Sequence, residues 1–234
     1  DNDDDAAAVQ SQFIEELALM NAQSAHEAAL WSDVDHDPIV ASAASSLEEA
    51  PLAGEISLSA LIDDLVLGRT HLVMLAAHRS HADCEATADE LVANAQARGL
   101  SVALVDAGSA RRTDLPGLSD LSTDAASFGD VVHKSADNSF AEVPWGQGRA
   151  ISRQSSKPVT LVEALGDIYE VVVLLTGRVG MNSALPIFAG LDGRVVLVAG
   201  EDDDVDALAD SRAQLLDAGF TSVEVTQGQV RAAA

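Results

Sequence analysis

Six side chains that could do chemistry crowd one short stretch: His78, Arg79, His81, Asp83, Cys84 and Glu85, in the text HRSHADCE. Two histidines, an aspartate and a thiol suggest zinc, but zinc needs three or four convergent ligands, and this spacing is not a recognised pair of ligand pairs. A thiol near a helix N-terminus can also act as a nucleophile. Here Asp83 and Glu85 flank Cys84, which disfavours the thiolate, and no base accompanies it. The stretch reads better as a polar loop in which Asp83 caps the following helix. Asp106 closes a nearby apolar run, at a position where open α/β sheets hold ligands. Without acidic partners it reads as a structural acid bonding loop amides. Arg111, Arg112, Arg149 and Arg153 could face an anion on the same rim, although surface pairing with the many acids is favoured. The text DVDHD at residues 33–37 lacks the glycine and late glutamate of a calcium loop and reads as acidic linker.

The elements that must position these residues follow from apolar patterning. Residues 71–108 predict a buried strand (72–76), a loop, an amphipathic helix (84–98) stopped by Gly99, and a second strand (102–105). The alternation continues downstream. Helices are predicted over 56–67, twice within 118–132, and over 159–168, 182–189 and 205–218. Strands are predicted over 139–144, 169–175, 194–199 and 222–226. Short, wholly apolar strands between helices indicate a doubly wound α/β domain, with a mainly parallel sheet covered on both faces, over residues 55–228. Upstream, residues 1–54 form an Ala, Ser and acid-rich extension. Phe13, Leu17, Met20 and Leu30 predict one helix within residues 9–30, followed by a linker. Residues 229–234 are a tail.

Composition narrows the function classes. The 234 residues carry 13 basic and 38 acidic side chains, a net charge of −25, which disfavours nucleic acid and anionic lipid as partners. One cysteine excludes an intramolecular disulfide. No apolar run approaches the roughly 18 residues of a membrane span, so membrane attachment is expected only through segments outside this chain.

The order of several phrases carries a family resemblance. LSVALVDAG (100–108) matches a strand bearing the second Walker aspartate, and PGLSDLSTDAASFGDVVHKS (116–135) a glycine-leucine-serine-aspartate helix and its sequel. NSFAEVPWGQG (138–148) matches a strand ending in proline-x-glycine. Residues 169–200 match a Walker B strand with the helix and strand that follow it, and residues 206–228 a closing helix and strand. Together they resemble the cytoplasmic domain of bacterial tyrosine kinases, a deviant P-loop domain related to ParA and MinD and found in polysaccharide co-polymerases that set exopolysaccharide chain length. The resemblance implies a P-loop NTPase-like fold and a cytoplasmic place at the inner face of the bacterial inner membrane. It also implies partners among polysaccharide synthesis and export proteins, or self-association.

The same resemblance exposes departures. The phosphate loop's glycine, lysine and Ser/Thr would fall at about Asp83, Cys84 and Glu85, the second acid of the Walker pair at Gly108, and the Walker B aspartate at Leu175. The family's tyrosine-rich tail is missing, Tyr169 being the one tyrosine, and its Glu-x-x-Arg-x-x-Arg helix becomes Glu55, Leu58 and Leu61, where a hydrophobic contact could replace the ring-forming one. The implied reading is a pseudokinase with a vestigial nucleotide site near Arg79, Asp83, Cys84, Glu85, Asp106 and Leu175, no catalytic residues, no metal and no cofactor. Two enzyme alternatives are an ATPase or tyrosine kinase with an unorthodox site, with Arg79 or a neighbouring subunit supplying the cation, and a partition-type ATPase, which the net charge disfavours.

Overall fold

A computed structural model describes residues 54–200 and 202–228. The expected helix at 9–30, the linker with its DVDHD text, and the tail lie outside the described residues. The elements run α1 (Leu58–Val66), β1 (Leu72–Ala77), α2 (His81–Ala97), β2 (Val102–Asp106), α3 (Leu118–Ser122), α4 (Phe128–Val131) and β3 (His133–Lys134). They continue through β4 (Phe140–Val143), α5 (Lys157–Ile168), β5 (Val171–Arg178), a 3-10 turn (Leu185–Phe188), β6 (Arg194–Ala199), α6 (Val205–Asp217) and β7 (Val223–Gln227).

The strands form one sheet in the order β3-β4-β2-β5-β1-β6-β7, parallel except for β3, which pairs antiparallel with β4. β1 lies between β5 (Leu72 opposite Val172) and β6 (Val73 opposite Arg194). Alternation along β1 splits the core. Leu72, Met74 and Ala76 face a cluster built with α3, α5, α6 and the 3-10 turn, while Val73, Leu75 and Ala77 face one built with α1 and α2. Burial of each large aliphatic side chain stabilises the fold by roughly 1.5–3 kcal/mol, which is why a strand as short as β1, buried along its whole length, can anchor the sheet.

Both sheet edges are occupied. Beyond β7, residues 54–56 add a parallel bridge: Ile56 N donates to Val225 O at 2.9 Å and Val225 N to Gly54 O at 2.8 Å. At the other edge stands the two-residue β3.

Three expectations need correction. Asp83 does not cap α2. The helix begins at His81, and Ser80, extended at φ −113°, accepts a hydrogen bond from Ala82 N at 3.3 Å. Residues 182–189 make a short 3-10 turn rather than an α-helix, because Pro186 lacks the N–H that a longer ladder needs. β5 starts at Val171, since Tyr169 ends α5 as its C-cap, and it runs on to Arg178. The strand at His133–Lys134 has no apolar signature and was not expected. Leu61, where a hydrophobic contact could have replaced the ring-forming one, is fully buried in the chain's own core, and Leu58 packs partly buried beside it.

Candidate functional site

The expected site lies at the C-terminal ends of β1, β2 and β5. Three residues, His78, Arg79 and Ser80, join β1 to α2. Positions expected to wrap a phosphate form instead the first turn of α2, and no residue between Ala77 and Cys84 has a positive φ. Three amides of the stretch are already engaged. His78 N donates to Val198 O at 3.0 Å, Ala82 N to Ser80 Oγ, and Asp83 N to Ser80 O at 3.2 Å. A phosphate cradle needs such amides free and convergent.

The side chains of the stretch diverge. His78 Nδ1 meets Ser211 Oγ at 3.0 Å, and Arg79 Nε pairs with Asp203 Oδ1 at 3.1 Å on the loop after β6. Asp83 also turns toward that loop, where burial and the neighbouring Asp203 raise its pKa. Cys84, expected at the lysine position, is fully buried among the α1–α2 apolar cluster, and burial, then Asp83, pushes its thiol well above the usual range. Glu85 bonds Arg111. Among the described residues no three His, Cys, Asp or Glu side chains converge as metal ligands.

Asp106 closes the turn after β2. Its Oδ1 accepts from Gly108 N at 3.0 Å and Ser109 N at 2.8 Å, and its Oδ2 accepts from the Ser109 hydroxyl. His81 Nε2 stands 4.0 Å from Asp106 Oδ1 and 3.6 Å from Glu85 Oε1, both beyond hydrogen-bond range, and neither ring nitrogen has a hydrogen-bond partner. Burial lowers the imidazole pKa, the Asp106 charge opposes that shift, and Arg111 adds to it.

Above Asp106 two backbones meet directly. A Cβ on Gly108 would lie 2.0 Å from Gly177 N, and Gly177 itself has φ +80°. The backbones at Gly108, where the resemblance puts the second acid of the Walker pair, and at Gly177 are therefore in van der Waals contact, which glycine permits. Leu175 is 5% exposed and its carbonyl accepts from Ala107 N at 2.8 Å, while Thr176 Oγ1 donates to Leu75 O at 2.9 Å. Beneath this rim a cavity of about 270 Å³ is lined by Glu85, Asp89, Asp106, Glu142 and Leu175 among others. A phosphate there would meet four carboxylates, each repelling it by roughly 1–4 kcal/mol at 4 Å, and the nearby Arg111 is held by Glu85.

Sequence reasoning passed over a second constellation. Asp120, 8% exposed, accepts from Gly117 N at 3.0 Å and Gln147 N at 2.8 Å through the same Oδ2. Ser119 Oγ accepts from Gly148 N at 3.0 Å, and Trp145 Nε1 donates to Gly148 O at 3.0 Å. The matched phrases GLSD and PWGQG are thus two halves of one latch that ties α3 to the end of β4. Of the four arginines named for an anion rim, Arg111 is paired with Glu85, Arg153 donates to the carbonyl of Met181 at 2.5 Å, and Arg112 and Arg149 are exposed.

No family model and no curated protein matches the chain. Solved structures do match. The kinase domain of Escherichia coli tyrosine kinase ETK aligns with a TM-score of 0.63 at 16% identity, over 76% of this chain and 77% of that one. The VpsO kinase domain gives 0.60 at 19% identity (74% and 92% covered), and the BceF tyrosine kinase domain 0.58 at 20% (74% and 75%). The septum site-determining protein MinD of Pyrococcus horikoshii, solved with Mg-ADP, gives 0.52 at 14% (67% and 68%). The chain has the P-loop NTPase-like fold of the bacterial tyrosine-kinase domains.

Proposed function

We propose that this chain is a non-catalytic, pseudokinase-type module that docks or regulates other proteins in exopolysaccharide production at the inner face of a bacterial membrane, without using nucleotide. The observation that carries the reading is the β1–α2 junction. There a three-residue loop without a positive φ leads straight into helix, the His78, Ala82 and Asp83 amides are bonded within the chain, and the residue expected at the lysine position is a buried thiol. The contact between Gly108 and Gly177 and the acidic cavity beside it support the same reading, since the first brings two glycines together where an acid would be expected and the second repels a triphosphate. The exopolysaccharide context rests on the fold shared with the ETK, VpsO and BceF kinase domains. Among the described residues no helix is long and apolar enough to cross a membrane, so any anchoring would come from a partner or from other segments.

Calorimetric titration with ATP and ADP in the presence of Mg²⁺ tests the loss of nucleotide use. No saturable binding at millimolar nucleotide is expected, and micromolar affinity or measurable hydrolysis would overturn it. The context is tested separately, by deleting the chain in its source cell and sizing the exported polysaccharide. An unchanged length distribution would remove that part of the reading.

A further inference from the structure

The outer surface of α6 is apolar where a solvent-facing helix should be polar. Leu208 and Leu215 point into the sheet, while Val205, Ala209, Ala213 and Leu216 recur at helical spacing on a second face. Val205 is 50% and Leu216 37% exposed. This face and β7 wall an apolar groove of about 240 Å³, with Arg212, Glu55 and Asp203 at its margin. The two alanines leave room for close approach of another helix, and 13 residues of α6 offer about 20 Å of docking length.

The chain enters the described domain at this groove. Gly54 lies against the Arg212 guanidinium, which a Cβ at that position would meet at 2.7 Å, and Glu55 bridges to Val225 on the adjoining strand. Fifty-three residues precede that point. Among them Phe13, Leu17 and Met20 share one face of a predicted helix, at a spacing that matches Ala209, Ala213 and Leu216. The 24 residue steps from Leu30 to Gly54 can span up to about 80 Å, so reach does not limit contact, and the tether holds the segment at an effective concentration of roughly millimolar.

We infer that the groove between α6 and β7 is a docking site for this chain's own residues 9–30, with the apolar face of Phe13, Leu17 and Met20 seated on that of α6. Charge does not drive the contact. Residues 1–53 contain no lysine or arginine, and α6 sets Asp206, Asp210 and Asp217 against the single Arg212, whose Nε donates to Val223 O. The contact is hydrophobic and works against acid–acid repulsion, so added salt strengthens it. An ion-paired interface would weaken.

Disulfide trapping in the full chain tests the site. Ala213→Cys is combined in turn with Phe13→Cys, Leu17→Cys and Met20→Cys, and with Glu15→Cys on the opposite face as the control. Cys84, fully buried, is left in place. Unfolding curves matching the parent confirm that each pair folds. In dilute oxidising solution, the three apolar-face pairs should close within one chain at least ten times faster than the Glu15 pair, and faster still at 500 mM than at 50 mM NaCl. Equal rates for all four pairs would overturn the site. Covalent dimers without intrachain closure would overturn it in favour of a second copy in the groove. Slower closure at high salt would overturn its hydrophobic basis.

Discussion

Placing a lysine where a phosphate loop would carry one gives the sharpest test of the reading of the site. In Cys84→Lys, the new side chain would start from a fully buried Cβ position on the core-facing side of α2, among the apolar residues of α1, β1 and β6. Burying a lysine there costs roughly 4–5 kcal/mol at neutral pH, a ceiling reached when the amine sheds its proton, and its extra volume about 1–3 kcal/mol more. Domains of this size are stable by about 5–15 kcal/mol, so the variant should sit at the edge of unfolding at pH 7. Urea denaturation followed by circular dichroism measures the loss, with Cys84→Ser, a near-isosteric change expected to cost about 1 kcal/mol, as reference. The pH dependence identifies the cause. A lysine whose folded pKa is depressed binds fewer protons folded than unfolded, so the penalty is full below the folded pKa and fades as pH rises toward about 10.4. The gap between the two variants should therefore narrow between pH 7 and pH 10. A well-folded Cys84→Lys protein within 1 kcal/mol of the parent that binds Mg-ATP would refute the argument, because the position would then face a usable phosphate site.

Other outcomes follow from the same geometry. The Cys84 thiol should resist maleimide in the native protein for hours and react within minutes in 6 M guanidinium, since it is fully buried and its pKa is raised; rapid native labelling would contradict its placement. Asp120→Ala should cost about 2–4 kcal/mol in chemical denaturation by stranding the Gly117 and Gln147 amides, with Asp120→Asn milder because its carbonyl can still accept. The lowered pKa of His81 means that the unfolded chain takes up this proton first as pH falls. Its contribution is complete above about 6.5 and is lost on acidification toward the folded value, so His81→Gln should flatten the acid limb of the stability profile below about pH 6.5.

Much of the architecture could be read from the chain because each parallel strand is an apolar run bounded by a turn or a helix, and Gly68, Gly99 and Gly219 stand at helix ends with positive φ. What escaped was decided by contacts distant in sequence. His133 and Lys134 become a strand because β4 offers them a partner, not because of their propensity. The start of α2 was misjudged because Ser80 and Asp83 are both good caps, and a stretch without glycine allows the helix to begin at the earlier one. The departures at Asp83, Cys84, Gly108 and Leu175 could be named from the sequence. The backbone contact of Gly108 with Gly177, 69 positions apart, and the isolation of His81 could not, because residue type alone does not state which loops touch.

The sealed edges of the sheet bear on how this chain can associate. Open edges are where foreign strands add and where fibres nucleate. Here one rim is closed by the chain's own Gly54–Ile56 segment and the other by a two-residue strand carrying His133 and Lys134. Among the described residues this leaves little open strand for exchange, and assembly falls mainly to side chains on the helical layers. Such contacts can be gained or lost by surface substitution without disturbing the sheet, which leaves specificity free to change while the scaffold stays fixed.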